Sequence, residues 1–394
     1  MSKKSVKDID LKGKRILMRV DFNVPLDKEL NITDDNRIKK ALETIKYIIQ
    51  AGGKLILISH LGRPKGQRLP EFSLKPVAKH LSELLGQSVL MLDDCIGDAV
   101  KAVVAEMNEG DVVLLENLRF HKAETNNDSQ FARELAALGD VFVNDAFGTS
   151  HRAHASTEGV THYLEAVSGF LVQKEIEYFE KILTGSLKPF IFILGGAKVS
   201  DKIPVIENMI DKADCLLIGG AMAYTFMKVK GVDIGSSRFE KGSQEIVENI
   251  FKKAKEQKVE ILLPVDHIIT DDLNAAVNVK TTGGASIDQG WIGVDIGPKT
   301  RQLFCDKIKE AKTIVWNGPV GIFEKDEFSK GSLSLALAIA ESEATSVIGG
   351  GDTAAAVAKF SLADKMSHIS TGGGASLEYL EGKVLPGIAA LTDK

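Results

Sequence analysis

The sequence predicts an α/β fold of two doubly wound domains, each a mainly parallel sheet covered by helices. Short apolar runs alternate with amphipathic segments along all 394 residues, which is the pattern of parallel strands connected by helices. A chain of this length favours two domains over one large sheet. The apolar runs of the first half end in polar or basic residues, whereas those of the second half end in glycine. This difference predicts two Rossmann-like domains that bind different ligands beyond the carboxyl ends of their strands.

Eleven apolar runs predict the strands, and the amphipathic segments between them predict helices. The runs are Ile16–Val20, Leu55–Ile58, Val89–Leu92, Val112–Leu115, Val141–Val143, Phe190–Leu194, Cys215–Ile218, Glu260–Leu263, Thr313–Trp316, Ser346–Ile348 and His368–Ser370. Predicted helices of the first half are Arg37–Gln50, Leu74–Leu85, Ile96–Asn108 and Ser129–Leu138. We place a domain boundary after Ser168, before a long helical pattern that serves as the hinge helix. The domains are then 1–168 and 169–376.

Composition is that of an ordinary globular protein. The chain is 44% hydrophobic and 26% charged, and its net charge of −5 does not argue for nucleic acid or an anionic membrane as a partner. Cys95, Cys215 and Cys305 are isolated, which argues against a disulfide framework or zinc site and favours a reducing compartment. The N-terminal residues lack a secretory signal, and no apolar run approaches the roughly 18 residues of a membrane span. We therefore expect a cytoplasmic protein with no membrane partner.

Basic residues gather after the strands of the first half. Arginine binds phosphate and carboxylate through a bidentate fork, and several guanidinium groups at one sheet edge repel each other unless an anion joins them. The alternative is a set of solvated surface arginines. The residues with this placement are Arg37, Arg63, Arg119 and Arg152, with His60 and His151 beside two of them.

Two polar residues follow the first strand, and two histidines follow the fifth. Asp21 and Asn23 can orient hydroxyl groups of a ligand or the arginines themselves. His151 and His154 have the spacing of a metal pair, but no carboxylate or thiol accompanies them, which argues against a metal there.

The segment Val347–Thr353 reads as a strand, a turn of three glycines and the start of an alanine-rich helix. Backbone N–H groups and the helix dipole at such a turn favour an anion. Asp352 beside a phosphate needs a cation between them, which makes it a candidate Mg²⁺ ligand, and Thr353 offers a hydroxyl. Two alternatives stay open: a glycine turn that serves only packing, and the weak dinucleotide pattern of Gly349, Gly351 and Ala354.

Lys198 and Lys202 surround a second predicted helix start, with Ser200 as a plausible N-cap. Positive charge at a helix N-terminus is unfavourable by roughly 0.3–1 kcal/mol for each lysine, so the placement favours a polyanion between them. Two exposed lysines are the alternative. The sequence holds no GxxxxGK[ST] motif, so a nucleotide would be bound by something other than a P-loop.

These motifs together resemble those of the bacterial phosphoglycerate kinases. The resemblance runs from end to end of the chain in the family's order, and several of the stretches are long and specific. The matching stretches are Arg19–Pro25, Ser59–Pro64, Glu116–Phe120, Asn144–His154, Gly195–Lys202, Trp316–Gly321 and Gly350–Thr353.

The resemblance implies a monomeric kinase of glycolysis and gluconeogenesis. The reaction is reversible phosphoryl transfer between 1,3-bisphosphoglycerate with ADP and 3-phosphoglycerate with ATP, in line, with Mg²⁺ and hinge closure. The N-terminal domain would bind the 3-phosphoglycerate, and residues 377–394 would return to it. Its implied ligand-binding residues are Asp21, Asn23, Arg37, His60, Arg63, Arg119 and Arg152.

The implied nucleotide site lies in the C-terminal domain. Gly293 would lie near the base, Asn317 and Glu324 on the ribose and phosphate side, and Asp352 on the metal. For catalysis we expect Arg37 and Lys198 on the oxygens of the transferred group and Lys202 on the nucleotide phosphates. The nucleotide-binding residues are Lys202, Gly293, Asn317, Glu324, Gly350, Gly351, Asp352 and Thr353.

Two other functions stay open on the residues alone. A dehydrogenase would use the turn at Gly349–Ala354 and an acidic residue about 20 positions on, where Asp364 is close but follows no clear strand. A non-catalytic anion-binding protein would leave the lysine pair and Asp352 unexplained.

Overall fold

The structure is a computed structural model that describes residues 2–274 and 278–394. The chain forms two compact units. Unit 1 comprises the chain up to Glu177 together with Val384–Lys394, and unit 2 comprises Tyr178–Lys383. Each unit contains a six-stranded parallel sheet covered by helices, as the sequence predicts. The assignment of one function to 1–168 with 377–394 and another to 169–376 stays a prediction.

The sheet of unit 1 has the order β3-β4-β2-β1-β5-β6, and every pair in it is parallel. Parallel pairing brings all six carboxyl ends to one edge, where the polar segments of the sequence follow. The strands are β1 (Arg15–Arg19), β2 (Lys54–Ile58), β3 (Leu90–Met91), β4 (Val112–Leu114), β5 (Val141–Asn144) and β6 (Ala166–Ser168). Only β6 has no counterpart among the predicted runs, because Val167 is the one large apolar residue in it.

Helices cover this sheet through apolar faces. Ile38, Ile45 and Ile48 of α1 are fully buried in the core formed with β2 and α2, and each contributes roughly 1.5–3 kcal/mol by leaving water. Asp128 caps α5 by accepting from the backbone N–H of Phe131 at 2.8 Å. The helices are α1 (Asn36–Gln50), α2 (Lys75–Leu85), α3 (Asp98–Ala105), α4 (Lys122–Thr125) and α5 (Ser129–Ala136).

Helix α6 (Phe170–Gly185) carries the chain from unit 1 into unit 2. Its N-terminus is fixed in unit 1 by Asp145, whose Oδ1 accepts from the N–H of Val172 at 3.2 Å. Phe170 packs edge-on against Tyr47 of α1, with ring centroids 5.1 Å apart. The first turns of α6 therefore belong to unit 1, which places the structural boundary inside the helix rather than before it.

The parallel sheet of unit 2 has the order β15-β14-β13-β7-β8-β9. Its strands match the predicted runs closely, because all but the two edge strands are buried apolar segments. They are β7 (Phe190–Leu194), β8 (Cys215–Ile218), β9 (Glu260–Leu262), β13 (Thr313–Asn317), β14 (Thr345–Gly349) and β15 (His368–Ile369). The helices before the C-terminal segment are α7 (Ile203–Ile210), α8 (Met222–Val229), α9 (Gln244–Glu256), α10 (Pro298–Glu310), α11 (Lys330–Glu341), α12 (Gly351–Lys359) and α13 (Gly374–Leu380).

Unit 2 also contains a small antiparallel sheet that the sequence did not predict. It consists of β10 (His267–Thr270), β11 (Val279–Thr281) and β12 (Ile292–Ile296), with β10 in the middle. Strand β11 is exposed along its whole length, and β10 and β12 mix buried with half-buried residues, so no continuous buried apolar run marks this sheet.

The last residues of the chain pack in unit 1. Helix α13 stays in unit 2, where the carbonyl of Leu380 accepts from Asn208 at 2.5 Å, so the chain crosses only after this helix ends. Helix α14 (Pro386–Ala389) follows, and the N–H of Thr392 donates to Ala166 of β6 at 2.9 Å. Across the described part of the chain, none of the helices has the length and apolar character that a bilayer-spanning helix needs.

Candidate active site

The unit 1 site begins with an ion pair at the end of β1. Arg37 lies in the first turn of α1, and its Nη1 donates to Oδ2 of Asp21 at 2.5 Å. The other carboxylate oxygen of Asp21 lies 3.9 Å from Nδ1 of His60, which follows β2. The side chain of Arg37 remains 42% exposed, whereas that of His60 is 5% exposed. The pair therefore presents one accessible guanidinium beside a nearly buried imidazole.

The backbone of Gly62 connects Asn23 and Arg119, two further residues of the unit 1 site. Its N–H donates to Oδ1 of Asn23 at 2.8 Å, and its carbonyl accepts from Nη1 of Arg119 at 2.8 Å. Its φ is +63°, and a Cβ here would lie 2.3 Å from the ring of Phe72, so only glycine fits. Arg63 follows directly and is exposed.

Arg119 is a half-buried cation with other positive charges around it. Burial, together with the positive charges of Arg19 and Arg152, lowers its pKa to about 10 against the opposing charges of Glu124 and Asp21. Its Nε is buried and has no hydrogen-bond partner among the described residues. A guanidinium in this state is stabilised by a bound anion.

A buried hydrogen-bond network that includes Arg19 lies next to these residues. Arg19, the last residue of β1, is 1% exposed and donates through Nε to Oγ of Ser156 at 2.9 Å. Glu124 accepts from the backbone N–H and the hydroxyl of Ser156 at 3.0 and 2.7 Å. Burial acts to raise the pKa of Glu124, but a hydrogen bond from His154 and the charge on Arg19 leave it lowered. The carboxylate is therefore the counter-ion of Arg19.

Sequence reasoning missed Arg19 and Glu124, because Arg19 lies inside a predicted apolar run. The two histidines hold different partners: Nε2 of His151 accepts from Arg152 at 3.1 Å, whereas Nδ1 of His154 faces Glu124 at 3.6 Å.

In unit 2, some of the glycine turns serve close packing between strand ends. A Cβ on Gly195 would lie 2.1 Å from the carbonyl oxygen of Pro319, and Gly318 adopts a φ of +97° against Gly195. Packing does not explain Gly351, because a Cβ there would meet nothing within 4 Å. The open space beside Gly351 lies at the N-terminus of α12, where the helix dipole favours an anion.

Lys202 points toward this turn. Its Nζ lies 3.5 Å from the carbonyl oxygen of Asn317 at the end of β13. Burial lowers the pKa of Lys202 to about 8, and the charges of Asp352 and Asp201 act in the opposite direction. Asp352 itself is exposed in the first turn of α12.

Asn317 and Thr353 complete the same group. The Nδ2 of Asn317 is buried and has no hydrogen-bond partner in the described residues. Oγ1 of Thr353 accepts from the N–H of Gly318 at 2.7 Å, which leaves its hydroxyl hydrogen able to donate. A Cβ on Gly350 would lie 3.2 Å from Nδ2 of Asn317, so this turn lies against the amide.

The turn that carries the lysines differs from the prediction. Ser200 begins a 3₁₀ turn that ends at Lys202, and α7 starts only at Ile203, so Ser200 is not the N-cap of this α-helix. Glu240, which the sequence did not single out, holds the turn by accepting from the N–H groups of Val199 and Ser200 at 2.6 and 3.2 Å. Lys198 is exposed.

Gly293 lies on β12 of unit 2, and Glu324 lies in the 318–324 loop. The N–H of Gly293 donates to Ser237 at 2.9 Å, and a Cβ here would lie 2.0 Å from the hydroxyl of Tyr224. The N–H of Ile322 donates to Val294 at 3.0 Å, which ties the loop to β12. Glu324 is exposed, and its carbonyl accepts from Lys359 at 3.2 Å.

One other cluster among the described residues has metal-ligand chemistry, at Asp94, Cys95 and His121, whose ligand atoms lie within 4.8 Å of one another. Asp94 already accepts from His121 at 2.7 Å, from the N–H of Cys95 at 2.7 Å and from Arg68 at 2.9 Å. Burial also raises the pKa of the Cys95 thiol well above its usual value. Hydrogen bonding therefore accounts for this cluster without a metal.

Comparison with known proteins decides the family. The family model for phosphoglycerate kinase matches residues 6–383. The chain belongs to the phosphoglycerate kinase family. It is 56% identical to a phosphoglycerate kinase of Thermosipho africanus (strain TCF52B), with all of this chain and 99% of that protein covered. It is 53% identical to the phosphoglycerate kinase of Chlorobaculum tepidum, with both chains covered in full.

Solved structures of the family have the same fold. The phosphoglycerate kinase of Coxiella burnetii superposes with a TM-score of 0.89 at 42% identity, and that of Pyrococcus horikoshii OT3 with 0.85 at 32% identity. In both cases 98% of each chain is covered.

The chain is thus a phosphotransferase of glycolysis. It transfers a phosphoryl group reversibly between 1,3-bisphosphoglycerate and 3-phosphoglycerate, with ADP and ATP as the nucleotide pair. The dehydrogenase and the non-catalytic anion-binding protein, which the residues alone left open, do not fit a member of this family.

Proposed function

We propose that the unit 1 site binds 3-phosphoglycerate or 1,3-bisphosphoglycerate and that the unit 2 site binds ADP or ATP with Mg²⁺. The observation that supports this division most is the state of Arg119, a half-buried guanidinium beside two other arginines whose Nε lacks a partner in the described residues. An anionic ligand supplies the missing acceptor. Asp21, Asn23, Arg37, His60, Arg63 and Arg152 complete the site in this proposal.

The acceptor of the reaction needs no general base. The carboxylate of 3-phosphoglycerate is ionised at neutral pH, as carboxyl groups with a pKa near 4 are. Catalysis then consists of positioning two anions and neutralising charge on the transferred group in a loose, in-line transition state. In this proposal Arg37 and Lys198 contact the oxygens of the transferred phosphoryl group. Both side chains are exposed enough to reach a ligand.

The nucleotide phosphates are assigned to the start of α12 and to Lys202. The N–H groups at Gly350 and Gly351 and the hydroxyl of Thr353 supply donors, and Lys202 supplies positive charge. Asn317 offers its unpartnered Nδ2 to the same ligand. The base is assigned to the region of Gly293, and Glu324 to the ribose and phosphate side.

Asp352 fits a magnesium ion that arrives with the nucleotide. Mg²⁺ in such sites takes one or two protein carboxylates together with substrate phosphates and water. Asp352 is a single exposed carboxylate next to the open turn at Gly351. The bound ion would neutralise charge on the phosphates during transfer.

Two ligands on two units require closure before transfer, which we assign to bending along α6. Closure also excludes water and so limits hydrolysis of the nucleotide. We further infer a monomer, since each ligand site is built from one unit of a single chain. Free Cys95, Cys215 and Cys305 support a reducing, cytoplasmic location.

Titration calorimetry with each ligand alone tests the division. Arg119→Gln is expected to weaken 3-phosphoglycerate binding at least tenfold and to leave MgADP binding unchanged. Lys202→Gln is expected to do the reverse. If either variant weakened both ligands equally while remaining folded, the assignment of one ligand to each unit would be wrong.

A further inference from the structure

Among the residues that the structure describes, one polar neighbour lies within hydrogen-bond distance of Nδ1 of His60. Nη2 of Arg19 lies 3.2 Å from Nδ1, whereas the nearest oxygen of Asp21 is 3.9 Å away. Both residues of the short contact are buried: Arg19 is 1% exposed and His60 4% exposed. Both side chains are therefore shielded from bulk water.

The chemistry of arginine decides how this contact is made. A guanidinium carries five N–H donors and no acceptor, and it does not lose its proton in proteins. A protonated Nδ1 facing Nη2 would set two donors against each other. Nδ1 must therefore be the acceptor, and the proton of the neutral ring must be on Nε2.

The position of Arg19 is fixed independently of His60. Its Nε donates to Ser156 at 2.9 Å, its Nη1 donates to the carbonyl of Val20, and Glu124 balances its charge through Ser156. A donor that is held by two hydrogen bonds of its own imposes its geometry on the imidazole, rather than adapting to it.

The charges around His60 act in the same direction. Burial lowers the pKa of His60 well below its usual value, and the charges of Arg19, Arg119, Arg37 and His154 lower it further. Asp21 is the facing carboxylate, and its distance of 3.9 Å and its ion pair with Arg37 limit its opposing effect.

We propose that Arg19 is a positioning residue that locks His60 as a neutral imidazole with its proton on Nε2, so that His60 recognises the ligand anion as a hydrogen-bond donor and not as a cation. The tautomer follows from the structure alone. Its use in binding rests on the proposed role of the unit 1 site.

The proposal predicts two consequences that a merely structural arginine would not produce. The Nδ1 of His60 has no proton at any pH from about 6 to 8, and the ligand affinity has no contribution from imidazolium charge in that range. When Arg19 is replaced by an uncharged residue, either ring nitrogen of neutral His60 can carry the proton. The pKa of His60 also moves closer to its usual value.

Nitrogen-15 NMR of the full chain labelled at histidine tests the tautomer directly. The signal of His60 is identified among the eight histidines by its loss in His60→Gln. We expect one unprotonated nitrogen, Nδ1, and one protonated nitrogen, Nε2, with no titration between about pH 6 and 8. A protonated Nδ1, or an imidazolium at pH 7, would overturn the proposal, and this holds without any variant of Arg19.

Kinetics of Arg19→Gln supply the second test. The KM for 3-phosphoglycerate is expected to rise several-fold at pH 8, and the ratio of variant to wild-type KM is expected to fall toward pH 6 as His60 gains charge in the variant. The ratio cancels the ionisation of the substrate itself. Arg15→Gln is the matched control, since Arg15 lies at the other end of β1 and pairs with Asp140 on the surface.

The outcomes separate the two claims. A ratio that does not change with pH, with the predicted tautomer seen by NMR, would contradict the use of His60 in ligand binding and so bear on the proposed function. A wrong tautomer would contradict the role of Arg19, whatever the ligand.

Discussion

Asp21 and Arg37 form an ion pair in which Oδ2 and Nη1 are 2.5 Å apart, and this pair joins the end of β1 to the first turn of α1. The guanidinium is thereby held at the carboxyl edge of the unit 1 sheet while 42% of the side chain remains exposed. The guanidinium is therefore already in position before an anionic ligand binds. Electrostatic stabilisation of a transition state requires this kind of preorganisation.

Arg37→Ala is expected to lower kcat by a factor on the order of 10³ and to leave the affinity for MgADP unchanged, because the lost charge faces the transferred group. Steady-state kinetics and calorimetry measure the two quantities. Arg133→Ala is the control, since Arg133 is an exposed arginine of unit 1 that contacts Tyr163. A kcat within about threefold of wild type would remove Arg37 from the transition state, since an arginine acting there is worth on the order of 10³ or more.

Asp352→Asn is expected to raise the Mg²⁺ concentration needed for half-maximal activity at least tenfold, because a neutral amide is a weak ligand for a hard cation. Activity is measured over a magnesium titration at fixed nucleotide. Asp364→Asn serves as the matched control, as Asp364 is another exposed aspartate of unit 2. Equal magnesium dependence in the two variants would exclude Asp352 as the ligand.

The affinity for ADP is expected to fall as the pH rises through about 8, because the free enzyme then loses the proton of Lys202. The sign follows from burial, which favours the neutral amine, while a bound phosphate favours the charged form. Calorimetry between about pH 7 and 9 measures the effect. Lys202→Arg should remove this fall, since arginine stays charged, whereas Lys198→Arg should retain it. Retention of the fall in Lys202→Arg would assign the titration to another group.

Asp145 is expected to destabilise unit 1 as the pH rises. Burial raises the pKa of Asp145 to about 7, above the value of about 3.9 for an unfolded chain. The folded state therefore binds more protons between these values, and its contribution to stability is lost as the pH rises through about 7. The loss is up to about 4 kcal/mol, from 1.36 kcal/mol for each pKa unit.

Asp145→Asn should lack this loss while keeping an acceptor for the N–H of Val172. Both tryptophans, Trp291 and Trp316, lie in unit 2, so unit 1 is followed instead by hydrogen exchange of β1 and β5 in urea at about pH 5 and 8. Asp140→Asn is the contrasting control: a hydrogen bond from Arg15 lowers the pKa of Asp140, so its contribution is lost at low pH. Equal stability of wild type at both pH values would contradict the assignment for Asp145.

Much of the fold can be predicted because buried strands appear in the sequence as continuous apolar runs. The runs Phe190–Leu194 and Cys215–Ile218 coincide with β7 and β8, because every residue in them is buried and apolar. Strands β6 and β11 each contain one large apolar residue, Val167 and Val279, so no apolar run marks them. Strand β11 also pairs along an exposed face, where no hydrophobic pattern is required.

The exposed residues proposed for each site are more conspicuous in the sequence than the buried residues that hold them in place. Arg37, Arg63 and Asp352 stand out because charge at a strand or helix end is conspicuous in a sequence. Arg19 does not, because a buried arginine inside an apolar run is visible only when Glu124 and Ser156 are found around it in space. These partners lie more than a hundred positions away from Arg19 in the chain, so no local pattern connects them.

The central claim is that the acid and the nucleotide bind to different units of the chain. Hydrogen exchange measured by mass spectrometry, with 3-phosphoglycerate alone and with MgADP alone, tests it most directly. We predict that 3-phosphoglycerate protects the peptides around Asp21–Asn23, His60–Arg63 and Leu118–Phe120, while MgADP protects those around Gly195–Lys202 and Gly349–Thr353. Protection of the same unit by both ligands would contradict the account.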